Sequence, residues 1–155
     1  MKLAKTPVAI FGLALMIAGA SALLPRPAFV AADHHEGPGH ELHETMEEMN
    51  GLYRTVRRQA RDESKNADTA DQLHQLATLA LAAKDFLPAM VSEMPAAEQA
   101  AITATYRTMM NDLVTHLLAA ENALLAGDNA AAWESVLAAN EVKGQGHELF
   151  IPEDE

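Results

Sequence analysis

The chain is 155 residues long, contains no cysteine and carries a formal net charge of −11 at pH 7. Its length suits one compact domain. The missing thiols exclude disulfides, thiolate metal sites, iron–sulfur clusters and covalent c-type haem attachment. The negative charge argues against nucleic acid or anionic lipid as a partner, because both would be repelled. It favours a partner protein with a basic docking surface, or cations.

The N-terminal stretch is predicted to be a signal peptide that ends at residue 32. Lys2 and Lys5 form a basic start, residues 8–22 are almost entirely apolar, and small residues follow. Cleavage is expected after Ala32, with Ala22 as the alternative. The apolar run is shorter than the roughly 20 residues that a membrane span needs, which favours an exported, periplasmic protein over a tethered one. Cleavage after Ala32 removes three of the 11 basic residues and leaves eight against 22 acidic ones, a net charge of −14.

A short His-rich segment, residues 33–39, is predicted to be a flexible tail ahead of the folded domain at residues 40–155. After cleavage the mature chain would begin Asp33-His34-His35. A free amine with histidine in third place can bind Cu(II) or Ni(II) through a square-planar set of nitrogens. His40 and His43 add imidazoles nearby. The alternative is a solvated tail that binds nothing.

Four segments after residue 39 have helical periodicity, and none shows sustained strand alternation. Their apolar stripes run through Leu42, Met46, Met49, Tyr53, Val56 and Ala60; Leu73, Leu76, Ala80, Ala83 and Leu87; Ile102, Tyr106, Met109, Leu113, Leu117, Ala120 and Leu124; and Trp133, Val136, Leu137, Asn140, Lys143, His147 and Phe150. Four amphipathic helices of this kind predict an all-α fold.

The segment boundaries carry recognisable stop and start signals. Pro88 closes the second helix, and the connection that follows offers Ser92 or Pro95 as the next start. Gly127 ends the third helix and Asp128 caps the fourth. Short connections make neighbouring helices antiparallel, so the prediction is an up-down-up-down four-helix bundle.

No motif typical of an enzyme is present. A Gly-rich phosphate loop, a nucleophile elbow and a zincin pattern are all missing from the sequence. No acidic residue lies on an apolar stripe, where burial would tune its pKa. The chain is therefore predicted not to be an enzyme.

One histidine and one methionine are predicted to meet at the same end of the bundle. His147 lies on the stripe of the last helix, near its C-terminus, and Met46 lies on the stripe of the first helix, near its N-terminus. Because these two helices are expected to be antiparallel, an imidazole and a thioether would both point inward there. Such a pair suits the axial positions of a haem iron. On spacing alone, haem, copper and ordinary core packing all remain open.

Two stretches resemble the soluble cytochrome b562 family. "ELHETMEEMN" is similar to the opening of the family's first helix, which carries the methionine ligand. "LVTHLLAAENALLAGDNAAAWESVLAAN" is similar to its junction between helices 3 and 4, including the glycine of the turn, here Gly127. Counted on from that glycine, His147 falls on the family's histidine ligand without a gap. The resemblance covers about residues 41–150.

The resemblance implies one non-covalent b-type haem at the open end of the bundle, with Met46 and His147 as axial ligands. The family's aromatic pocket positions on the third helix align with Tyr106 and Met110, a departure from the expected phenylalanines. Lys143 is a candidate propionate partner by position only. With both axial positions filled, iron has no open site for a substrate, which implies outer-sphere electron transfer to a redox partner protein.

A second departure from the family is "KGQGHELF", where Gly144 and Gly146 flank the expected ligand. Each glycine costs a helix interior about 1 kcal/mol relative to alanine. They would either let backbone approach the haem edge or fray the last turn and misplace His147. The alternative function is a haem-free bundle that buffers copper or other divalent metals, or serves as a stress-response interaction module, relying on His34, His35, His40 and His43.

Overall fold

The computed structural model describes residues 40–151, which form an all-helical unit without strands. The helices are α1 His40–Gln59, α2 Asn66–Ala83, α3 Ala89–Glu93, α4 Ala96–Leu125 and α5 Asn129–Phe150, with a 3₁₀ turn at Glu63–Lys65. The all-α prediction is confirmed. None of the described helices combines the length and the hydropathy that crossing a bilayer demands. The predicted signal peptide and His-rich tail, and the last four residues of the chain, lie outside the described residues.

The boundaries of α2 differ from the predicted ones at both ends. At its start, the Asp62 carboxylate accepts hydrogen bonds from the Ser64 amide and hydroxyl at 3.0 and 2.6 Å, which closes a compact turn. That turn lets α2 begin at Asn66, well before Leu73, the first residue of its predicted stripe. At its end, α2 stops at Ala83 rather than at Pro88, and Leu87 is exposed. Proline disfavours helical dihedrals at the residue before it, so the chain leaves the helix ahead of Pro88.

The short helix α3 was not predicted. It lies inside the stretch that was expected to be only a connection, and Pro88 is its N-cap. Proline suits a helix start because it fixes φ and has no amide hydrogen to leave unpaired. Val91, the one buried residue of α3, anchors this turn of helix. Pro95, one of the two predicted start signals, is the N-cap of α4.

The corner between α4 and α5 has the predicted caps. Gly127 is the only described residue with a positive φ, at 77°, and its amide bonds to the Leu124 carbonyl at 2.9 Å. The Asp128 amide donates to the Ala123 carbonyl at 2.8 Å, which completes a Schellman motif at the end of α4. The Asp128 carboxylate then accepts the Ala131 amide at 2.9 Å and caps α5.

One continuous apolar core joins the four long helices. Its largest fully buried side chains are Leu73, Leu76, Leu117 and Leu124, with Val56 and Val136. The predicted stripe of α1 is confirmed, whereas that of α5 is wrong in part: Leu137 is 44% exposed, and Asn140 and His147 are exposed. The buried face of α5 runs instead through Ala132, Val136 and Ala139. Alanines on this face let α5 lie close against α4, so small residues and not large ones define its core side.

Side-chain hydrogen bonds join helices at one end of the unit. Asn66 and Asn129 exchange amide hydrogen bonds at 3.0 and 2.8 Å. Asn129 also donates to the Ala60 carbonyl at 2.9 Å and Asn66 to the Leu124 carbonyl at 3.4 Å. The pair therefore satisfies carbonyls at the ends of α1 and α4 while holding the starts of α2 and α5.

The helices approach one another unequally. Close backbone contact joins α1 to α2, α2 to α4, and α4 to α5. The first and last long helices come less close and are joined by side chains. The Tyr53 hydroxyl donates to the Val136 carbonyl at 2.6 Å, and Lys143 donates to Asn50 at 2.9 Å.

Helix α5 continues through both glycines of "KGQGHELF" to Phe150, so the last turn is not frayed. A Cβ at Gly144 would have nothing within 4 Å. We therefore expect Gly144→Ala to raise the free energy of unfolding by about 0.5–1 kcal/mol, measured by urea denaturation. Gly127→Ala is the matched control and should lower it, because φ there is 77°. A destabilising Gly144→Ala would show that the glycine has a structural role of its own.

Candidate functional site

A cleft of about 320 Å³ opens between α1, α4 and α5. Its walls are mainly apolar, and Leu76 of α2 contributes to them. The first half of α1, the middle of α4 and the last turns of α5 line it. A concave, largely apolar pocket with a few polar groups is the usual form of a cofactor site.

The four residues predicted to bind the cofactor all line this one cleft. Tyr106 and Met110 are buried, Met46 is half-buried and His147 is exposed. The cleft thus brings together one residue from α1, two from α4 and one from α5. Of the two predicted iron ligands, His147 is therefore the more exposed.

The environment of His147 favours an uncharged imidazole. Partial burial, and then the nearby Lys143 ammonium, lower its pKa below the ordinary value of 6.5. Only the neutral ring has a free nitrogen lone pair for a metal. At neutral pH, His147 is therefore in the form that coordination requires.

Lys143 and Asn50 form a polar contact on the cleft wall. The sequence indicated Lys143 but not Asn50. The Lys143 ammonium donates to the Asn50 side-chain oxygen at 2.9 Å and lies 5.8 Å from the centre of the Tyr53 ring. Burial, followed by Arg54 and Arg57, lowers the pKa of Lys143. Lys143 had been singled out by position only, and nothing in the spacing of Asn50 marked it as a partner.

Aromatic packing supports the α4 wall. The rings of Tyr106 and Phe150 meet edge to face with their centroids 5.4 Å apart. The Tyr106 hydroxyl donates to the Ala83 carbonyl at 2.8 Å, at the last residue of α2. Tyr106 thereby fixes the end of α5 and the end of α2 against α4 at the same point.

The two tyrosines should titrate only at high pH. Burial raises the pKa of both Tyr53 and Tyr106 to about 12. A raised pKa stabilises the fold fully below the unfolded value of 10, and that contribution is lost as the pH rises through about 12. Because the chain has only two tyrosines, near-ultraviolet absorbance should show no phenolate step near pH 10 until urea unfolds the protein. A phenolate absorbance step near pH 10 in the folded protein would mean that a tyrosine hydroxyl is exposed to water.

Of the other described histidines, His43 also lines the cleft, whereas His40, His74 and His116 do not. His40 and His43 lie one turn before Glu44 and Glu47 on α1, at 3.3 and 3.7 Å from their carboxylates. Residues 40–151 contain no group of three or more His, Cys, Asp or Glu side chains placed to hold a metal ion. His34 and His35 lie outside the described residues, so the copper or nickel site at the tail stays a prediction.

A sequence profile of the cytochrome b562 family matches residues 41–150. The chain belongs to the cytochrome b562 family. The match starts within the first turn of α1 and ends on the last residue of α5, so it spans every helix that lines the cleft. Searches of curated proteins and of solved structures found no significant match.

Membership in the cytochrome b562 family implies b-type haem and electron transfer without catalysis. The residues of the cleft fit that group. A thioether and a neutral imidazole line one cleft, which is a known donor set for haem iron, and the mainly apolar walls suit a porphyrin. Tyr106 and Met110 in place of the expected phenylalanines keep the α4 wall buried.

Proposed function

We propose that this chain is a periplasmic electron carrier that binds one b-type haem non-covalently in the cleft, where Met46 and His147 would ligate the iron. One observation carries the proposal. Met46 of α1 and His147 of α5, distant in sequence, line the same mainly apolar cleft in a member of the cytochrome b562 family. Tyr106 and Met110 would pack against the ring.

The proposal takes the four long helices as an up-down-up-down bundle preceded by a cleaved signal peptide. Three sets of contacts support that order. The Asn66–Asn129 pair gathers the ends of α1 and α4 with the starts of α2 and α5. The Tyr53–Val136 hydrogen bond joins the middle of α1 to α5. The cleft gathers the start of α1 with the end of α5.

The residues of the cleft have separable roles in this proposal. Met46 and His147 would donate to the iron, and the apolar walls would keep water from the ring. Lys143 places a cation at the cleft wall, where it would pair with a propionate in addition to Asn50. When bound, haem supplies a one-electron iron couple, and a thioether ligand raises its reduction potential relative to two histidines.

Electron transfer is preferred to catalysis because the cytochrome b562 family consists of electron carriers. The chain would itself supply two donors to the iron, Met46 and His147. His147 lines the cleft and is exposed, so solvent reaches this part of the site.

The direct test is reconstitution. The mature chain, purified from an exporting host, should take up one equivalent of haemin and give a six-coordinate low-spin spectrum with a sharp α band after reduction. Repeated cycles of reduction and reoxidation should leave the spectrum unchanged. The spectrum of free haemin throughout the titration would refute the assignment. The mass of the exported chain would distinguish cleavage after Ala32 from cleavage after Ala22.

A further inference from the structure

Four arginines gather on one face of the molecule, although the chain as a whole is acidic. Arg54, Arg57 and Arg58 of α1 surround a shallow surface depression together with Trp133 of α5. The Arg61 guanidinium lies 4.0 Å from the centre of the Trp133 ring. These five residues are called the arginine patch below. It lies along the α1–α5 side of the unit.

The arginine patch has no internal counter-charge. Within residues 40–151, the ion pairs involve His40, His43, Lys65 and His74, and none includes an arginine. Arg58 bonds only to the neutral Thr55 hydroxyl, at 3.0 Å. A chain with a net charge of −11 has ample carboxylates to pair these guanidinium groups. Among the described residues, none of these four guanidinium groups has a carboxylate partner, and the same holds for Arg107 of α4.

The patch is continuous with the cleft. Lys143 lines the cleft, and both Arg54 and Arg57 lie close enough to lower its pKa. Arg57 also lies close enough to Tyr53 to lower its pKa, against the larger effect of burial, and Tyr53 lines the same cleft. A molecule seated on the patch would therefore lie beside the cleft.

We propose that the arginine patch is a docking surface for an acidic face of a partner protein. Guanidinium groups bind carboxylates through paired hydrogen bonds, and four of them beside a tryptophan have the composition of an interface centre. The net charge of the chain predicts a basic partner, but at this face the local charge is the opposite. The idea that this partner exchanges electrons with the chain rests on the proposed function. The docking itself does not.

An acidic protein suits the patch better than an extended polyanion. The patch is limited to the end of α1, Arg61 just after it and Trp133 of α5, and the chain as a whole is acidic. DNA or an anionic membrane would extend past the patch and meet that repulsion. A protein can present a few carboxylates to the patch and keep neutral or basic residues elsewhere.

The test uses a glutamate decapeptide as the probe, titrated calorimetrically into the full chain with and without haemin. We expect binding at low ionic strength that is abolished by about 0.5 M salt. Trp133 is the only tryptophan in the chain. Its emission in the haem-free chain should shift on binding and so place the peptide on the patch. Binding in the haem-free chain separates this proposal from the cofactor assignment.

Charge-matched variants locate the site. Arg57→Gln/Arg58→Gln should weaken peptide binding roughly tenfold, since exposed charge pairs contribute up to about 1 kcal/mol each. Lys84→Gln/Arg107→Gln removes the same charge away from the patch and should change the affinity less than about twofold. Equal losses in both double variants would overturn the proposal. So would tighter binding of double-stranded DNA or of anionic phospholipid vesicles than of the peptide.

Discussion

Replacing His147 by alanine is expected to abolish the low-spin haem spectrum and to weaken haemin binding by at least tenfold. His147 is exposed and is not part of the buried core, so removal of the imidazole leaves that core unchanged. Loss of a group that only orients a metal ligand costs about 10–100-fold in affinity, and loss of a ligand should cost no less. Visible spectra and haemin titrations measure both effects.

Met46→Leu should remove the other axial ligand while preserving packing, because the two side chains have similar volumes. A five-coordinate, high-spin spectrum is the expected result, with His147 still bound. Met49→Leu and Met109→Leu are matched controls, since both methionines line the same cleft. His116→Ala is the control for His147, because His116 does not line it.

These variants separate two explanations of the cleft. A low-spin spectrum that survives in Met46→Leu and is lost in Met49→Leu or Met109→Leu would move the thioether ligand to another methionine. Spectra unchanged by every variant would leave Met46 as a core residue. The His-rich tail would then become the place to look for metal binding.

Leu73→Ala should give the largest loss of stability, about 2–5 kcal/mol in the free energy of unfolding. Leu73 is 0% exposed, lies in α2 and takes no part in the cleft. Its truncation removes buried methyl groups and leaves a cavity that packed neighbours cannot fill. Urea denaturation followed by circular dichroism measures the change, and haemin binding to the folded variant should persist.

Leu81→Ala is the companion experiment on the same helix. Leu81 is 50% exposed, so the same change of side chain should alter the free energy of unfolding by about 0.5 kcal/mol or less. Similar losses for the two variants would mean that α2 packs in a different rotational position. The pair thus tests the burial pattern as well as its energy.

Features set by local chemistry were the most predictable from sequence. The stripe of α1 follows large apolar residues at helical spacing, and Gly127 with Asp128 defines the α4–α5 corner through backbone conformation and capping. Helix α3 was missed because one turn of helix is too short to show periodicity. The inner face of α5 was misjudged because alanine carries a weak hydrophobic signal, so the larger Leu137 was preferred.

The residues of the candidate site divide in the same way. Met46, His147, Tyr106 and Met110 were placed from helix order together with the family resemblance. The Lys143–Asn50 contact depends on two side chains on different helices, with no spacing rule to connect them. The arginine patch was visible only as charge at the end of α1. Trp133 belongs to α5, and only the fold brings it beside the arginines.

The unequal approach of the helices has a consequence for how a large planar ligand reaches the cleft. Helix α1 is in close backbone contact with α2 but is joined to α5 by a few side-chain bonds, whereas α4 is in close contact with both α2 and α5. Proteins open locally where few contacts must break, at a free energy below that of global unfolding. We expect amide hydrogens of α1 to exchange sooner than those of α4. A haem could then enter the cleft along the α1–α5 seam while the other three long helices stay folded.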